Sequence, residues 1–88
     1  MSNLKFSDDA WDDYVYWQMT DKDTCRKILE LLKDIQRNGP SNGIGKPERL
    51  RYCKLWSRRI THEHRLVYEV EPDGCIFVHA LKGHYDDK

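Results

Sequence analysis

At 88 residues the chain has room for one hydrophobic core, which excludes a separate cofactor domain, a lid or a large enclosed cavity. Charged residues make up 34%, yet three Trp, five Tyr and two Phe supply enough apolar surface for a folded domain and exclude a disordered one. The formal net charge is zero, so any polyanion site has to come from local clustering of Lys and Arg.

In chain order, residues 3–6 are a strand candidate, and Ser7 or Asp8 can cap a helix whose acidic start suits the positive end of the helix dipole. Trp11, Tyr14, Val15 and Gln18 fall at i, i+3, i+4 and i+7, which predicts a first helix ending near Met19. Thr20, with Asp23 three positions on, reads as the capping box of a second helix. There Cys25, Ile28, Leu29, Leu32 and Ile35 keep helical spacing until the stop signal Asn38-Gly39-Pro40. Residues 39–47, with Gly39, Pro40, Gly43, Gly45 and Pro47, read as a loop. Strand candidates follow at 55–61, 65–70 and 75–80, the last two joined by a turn at Pro72-Asp73-Gly74. Alternation sends Leu66, Tyr68 and Val70 to one sheet face and Arg65, Val67 and Glu69 to the other. The fold class is α+β: an αα-hairpin covers one face of a small, mainly antiparallel sheet, Arg65 lies on the open face, and residues 1–88 form a single domain.

Charge is unevenly spread. Residues 1–23 sum to −4 and residues 67–88 to −3, whereas residues 46–66 sum to +5. The basic segment suits an RNA backbone, and equally a solvated sheet face laced with ion pairs. Cys25, Cys53 and Cys75 form neither a CxxC pair nor an even disulfide set, which predicts reduced thiols. His62, His64, His79, His84, Cys53 and Cys75 give no compact metal-ligand spacing. No signal peptide or membrane-spanning run is present, so a cytoplasmic protein without cofactor or membrane partner is expected.

Cleaving RNA without a metal takes a base for the 2′-hydroxyl proton, a cation for the phosphorane and an acid for the departing 5′-oxygen. Glu48 suits the first task, Arg65 and Arg59 the second, and His84 the third, because imidazole titrates near neutral pH. Pro47 biases Lys46 toward an extended conformation that would aim Glu48. Tyr85 can stack on an unpaired base. Each residue also has a plain alternative. Glu48 reads as a surface carboxylate paired with Arg49 or Arg51, Arg65 as a strand ion pair with Glu63 or Glu69, and His84-Tyr85 as a frayed chain end.

Trp11-Asp12-Asp13-Tyr14, Tyr16-Trp17-Gln18, Gly43-Ile44-Gly45-Lys46-Pro47-Glu48, Trp56-Ser57-Arg58-Arg59-Ile60, Glu63-His64-Arg65-Leu66-Val67-Tyr68 and His84-Tyr85 together resemble YoeB-type toxins of the RelE/ParE superfamily. The likeness spans about residues 4–85. It implies a ribosome-dependent endoribonuclease that cuts messenger RNA in the decoding site and is silenced by a YefM-like antitoxin, with a homodimer plausible for the branch. By motif position, Glu48 corresponds to the general base, Arg65 to the phosphate-stabilising arginine, His84 to the general acid and Tyr85 to a substrate-contacting tyrosine. Lys46, Arg49, Arg51, Arg58, Arg59 and His64 are the accompanying RNA-binding candidates. The rival reading is a non-catalytic binding module, either a ParE-like inhibitor acting by occupancy or an RNA binder. Two departures stand out: the segment at 51–55 is shorter than in the family and lacks its glycine, and Asp86, Asp87 and Lys88 follow the His-Tyr pair.

Overall fold

The computed structural model describes residues 3–51 and 54–83. Along them run β1 (Leu4–Phe6), α1 (Asp8–Thr20), α2 (Lys22–Asn38), β2 (Glu48–Arg49), β3 (Trp56–Arg59), β4 (Arg65–Val70) and β5 (Ile76–Ala80). Ser7 caps α1 by accepting the Ala10 N–H at 3.0 Å, and its hydroxyl donates to the His79 carbonyl at 2.9 Å. One side chain thus starts the helix and ties it to β5.

The helices hold two corrections. The cap of α2 is Asp21, not Thr20. Its carboxylate accepts from the Thr24 hydroxyl at 2.8 Å and the Thr24 N–H at 3.1 Å, and these bonds hold it below the usual carboxylate range. Thr20 ends α1 and donates back to the Tyr16 carbonyl at 2.7 Å. The inward face of α1 is also rotated from the expected one. Ala10 and Trp17 are buried and Tyr14 partly so, whereas Trp11 and Val15 are 54% and 38% exposed. Trp17 wins the interior because its indole N–H has a buried acceptor there, the Leu81 carbonyl at 2.9 Å. Trp11 stays at the rim, stacked on Tyr14 with ring centroids 5.8 Å apart. On α2 the buried stripe is Thr24, Cys25, Ile28, Leu31, Leu32 and Ile35, with Leu29 left exposed.

The sheet has the order β1-β5-β4-β3-β2. It is antiparallel except for the edge pair β1–β5, which runs parallel. The outer strand β1 is the strand expected at residues 3–6, whereas the other outer strand, β2, was not predicted and begins where the predicted loop ends. Leu66, Tyr68, Ile76 and Val78 meet the α2 stripe in one core, while Val70 at the end of β4 is 37% exposed. The opposite face carries Arg65, as alternation predicted.

Arg58 is the principal correction. Expected to contact RNA, its side chain is instead fully buried. All five guanidinium N–H donors have acceptors: Nε donates to the Tyr68 hydroxyl at 2.9 Å, Nη1 to Asp34 Oδ2 at 2.6 Å and the Ile44 carbonyl at 2.9 Å, and Nη2 to the Gly39 and Asn42 carbonyls at 2.9 and 2.8 Å. Tyr68 passes the connection on by donating to the Pro40 carbonyl at 2.6 Å, and burial pushes its phenol pKa up, so it stays a neutral donor. One buried cation therefore folds the 39–45 loop onto α2, β3 and β4.

Arg58→Met is expected to cost about 3–5 kcal/mol in urea unfolding, because the Asp34 carboxylate and three loop carbonyls lose their donor. Gly43→Ala should also be severe, since a Cβ there would run into that carboxylate, whereas Gly74→Ala, in open space at φ 90°, should cost roughly 1–2 kcal/mol of backbone strain. Burial pushes the Asp34 carboxyl up, but the bonds from Arg58, the Ile44 N–H and Asn38 outweigh it and hold the group below its usual range. That stabilisation is complete above the ordinary Asp value of about 3.9 and is lost as pH falls through the lower folded value, so Asp34→Asn should flatten the acid limb of the stability curve.

Candidate active site

The loop held by Arg58 delivers Glu48. Arg59 N–H donates to the Gly45 carbonyl at 2.7 Å, and Gly45, at φ 82°, lies so close to Leu31 that a Cβ would approach its side chain to 2.7 Å. Lys46 follows at φ 52°, the one non-glycine residue with positive φ among the described residues. This corrects the extended conformation that Pro47 alone predicted. Two consecutive positive-φ residues turn the chain sharply so that Glu48 pairs with Ser57 as the edge strand β2. A side chain in that region is strained, and such strain is characteristic of functional loops.

Glu48 and Arg65 meet. Arg65 Nη2 lies 3.6 Å from Glu48 Oε2, with the arginine side chain 16% exposed and the glutamate 68%. Arg65 Nε donates to Ser57 Oγ at 3.2 Å, which props the guanidinium from within the sheet. Neither Glu63 nor Glu69 is its partner: Glu69 engages His79 at 2.8 Å. In the β3–β4 register Arg59 stands directly opposite Arg65, so both belong to the open face. Like charges directly opposed across two strands destabilise a sheet, and an anion placed between them would reverse the sign.

The end of the described chain is clasped onto the same strand. Leu81 N–H donates to Asp13 Oδ2 at 3.0 Å and its carbonyl accepts from Trp17, both on α1. Gly83 then bonds twice to β4 and its approach: its carbonyl accepts the Arg65 N–H at 3.0 Å, and its N–H donates to His64 Nδ1 at 2.8 Å. His64 packs edge-on to Trp17, centroids 4.7 Å apart. His84 and Tyr85 lie outside the described residues, as do Cys53 and the 86–88 tail.

The remaining candidates divide. Lys46, Arg51 and Arg59 are exposed. Arg49 is on the reverse side of β2 from Glu48, its guanidinium 5.8 Å from the Trp56 ring centroid. Arg58 is committed to the interior, and His64 directs Nδ1 to Gly83 and not outward. Ser57, Asp13 and Trp17 were missed as parts of the site. Period-two alternation puts Ser57 on the Arg59 face, but nothing in sequence spacing points to the reach from α1 to residues 81–83. Cys25 and Cys75 are free thiols. Among the described residues no three His, Cys, Asp or Glu side chains converge, and no helix is long and apolar enough to cross a membrane.

A family model described as the YoeB-like toxin of bacterial type II toxin-antitoxin systems matches residues 6–85. The chain belongs to the YoeB family. Toxin YoeB of Escherichia coli K12 is 51% identical over 84 residues, covering 93% of this chain and 98% of the relative. The YoeB dimer from Staphylococcus aureus superposes with a TM-score of 0.90 at 51% identity, covering 96% of this chain and 98% of that one. The heterotetrameric YoeB-YefM toxin-antitoxin complex from Staphylococcus aureus gives 0.89 at 50% identity, covering 97% and 99%. The YoeB match takes in Glu48, Arg65, His84 and Tyr85, and the fold on which Glu48 and Arg65 meet is that of the YoeB structures.

Lys46→Gly is expected to raise stability in urea unfolding by about 1 kcal/mol, because glycine removes the left-handed strain at φ 52°. Glu48→Gln should move it by less than about 1 kcal/mol, as an exposed ion pair contributes little. A Lys46→Gly protein that is less stable than the parent would mean that the lysine side chain offsets the strain.

Proposed function

We propose that this chain is a type II toxin whose activity is ribosome-dependent cleavage of messenger RNA in the decoding site by general acid–base chemistry that needs no metal. The observation that carries the reading is the Glu48–Arg65 pair on the open face, beside the clasped residue that precedes His84. Occupancy of a target would not require a carboxylate paired with a guanidinium on an open face, nor an imidazole next in the chain after the residue clasped to β4.

In this mechanism an incoming scissile phosphate competes with Glu48 for the Arg65 guanidinium. The carboxylate so released takes the 2′-hydroxyl proton, and the 2′-oxygen attacks phosphorus. Arg65, steadied by Ser57, faces the added negative charge of the phosphorane in a half-buried setting where it is weakly screened. His84 protonates the departing 5′-oxygen, leaving a 2′,3′-cyclic phosphate on one fragment and a 5′-hydroxyl on the other. Lys46, Arg51 and Arg59 hold the flanking backbone, and Tyr85 stacks on a base. The heterotetramer formed by the Staphylococcus aureus relative supports a YefM-like antitoxin as partner, and its dimeric form supports self-association of this chain. A cytoplasmic location follows from a ribosomal substrate.

On preassembled ribosome–messenger complexes, Glu48→Gln and His84→Gln should each lower the cleavage rate by about 10²–10⁴-fold while ribosome affinity holds. Arg65→Ala should lose more rate than binding. Mapping RNA ends reads the outcome, and full cleavage by His84→Gln would remove the acid from this assignment. Toxicity undiminished in Glu48→Gln and His84→Gln would favour inhibition by occupancy.

A further inference from the structure

We infer that His64 is a positioning residue of this site, acting through the Gly83 peptide and not through contact with RNA; the inference rests on the nuclease reading above. A backbone N–H can donate to His64 Nδ1 only if that nitrogen carries a lone pair, so the 2.8 Å bond from Gly83 requires Nδ1 to be unprotonated. The residue is held for the task through both its backbone and its ring. The His64 backbone N–H donates to Thr61 Oγ1 at 3.2 Å, the imidazole packs in a T-shaped contact with the Trp17 indole at 4.7 Å between centroids, and Trp17 in turn holds the Leu81 carbonyl two residues before Gly83. Arg65, the next residue, takes the Gly83 carbonyl with its backbone N–H. Consecutive residues thus grip both polar groups of one peptide-flanked glycine, while the Arg65 side chain reaches Glu48. The strand that presents the phosphate-binding cation also fixes where the chain departs toward His84.

Conservative variants separate this role from a direct one. Asn carries its side-chain oxygen near the place of Nδ1 and can accept the Gly83 N–H, whereas Gln extends its polar atoms to the place of Nε2, where an RNA contact would be made. His64→Phe keeps a ring against Trp17 but removes the acceptor. In His64→Phe, Gly83 amide exchange should lose its protection, and cleavage on preassembled complexes should fall by about 10²-fold, the scale of a small misplacement of a catalytic group. Ribosome affinity should hold. His64→Asn should recover most of both losses and His64→Gln little of either. Recovery by Gln but not Asn, or Gly83 exchange unchanged in His64→Phe, overturns the inference. The Gly83 amide reports the clasp whether or not the chain cuts RNA, so a parent protein that does not cut refutes the nuclease reading alone.

Discussion

A single buried guanidinium organises this domain. Five donors on Arg58 meet five acceptors drawn from α2, the 39–45 loop and β4, and a glycine-rich loop that would otherwise wander becomes a fixed part of the sheet's edge. Placing a cation in the interior is expensive unless every proton is matched and a counter-charge is near, and Asp34 supplies the charge at 2.6 Å. Among the described residues no buried side-chain nitrogen or oxygen lacks a partner. Lysine could not replace this arrangement, because it offers a point charge where the loop needs a planar fork.

The site is built outward from that anchor in two arms. One runs from the Arg58-bound loop through the strained turn at Lys46 to Glu48. The other runs from α1 through Asp13 and Trp17 to residues 81–83. Both close on β4 at Arg65, the first by its side chain and the second by its backbone N–H. A small domain cannot enclose a substrate, so it presents an open face and leaves precision to the elements beneath it. The cross-strand pair Arg59–Arg65 is a local cost, and the positive φ of Lys46 is the strain by which the loop turns into β2. Both fit the proposal that an anion completes the face.

The family relationship and the geometry bear on different questions. Similarity over residues 6–85 says which toxins the chain belongs with. The geometry says which candidate side chains the fold brings together. The 3.6 Å approach of Glu48 to Arg65 is loose for an ion pair, which fits the proposal that a phosphate displaces the carboxylate.

Local chemistry made much of the fold legible. Ser7 before an acidic turn, the spacing of Cys25, Ile28, Leu32 and Ile35, the stop at Asn38-Gly39-Pro40 and the alternation in β4 depend on neighbours within a few residues, and a sequence displays those directly. The motifs likewise pointed to Glu48 and Arg65 and to the YoeB resemblance. Tertiary contacts decided the rest. Whether an arginine in a basic strand meets solvent or the core depends on what the sheet is covered with, and Arg58 lies on the covered face, one residue from the exposed Arg59. Which face of α1 turns inward depended on a carbonyl at Leu81, 64 positions from Trp17. The role of His64 depended on Gly83, 19 positions away. The sequence by itself determined most of the elements and singled out Glu48 and Arg65 as candidates. Only the folded chain decided which cations were spent on structure and which remained for a substrate, because that choice is made by acceptors brought together across long stretches of the chain.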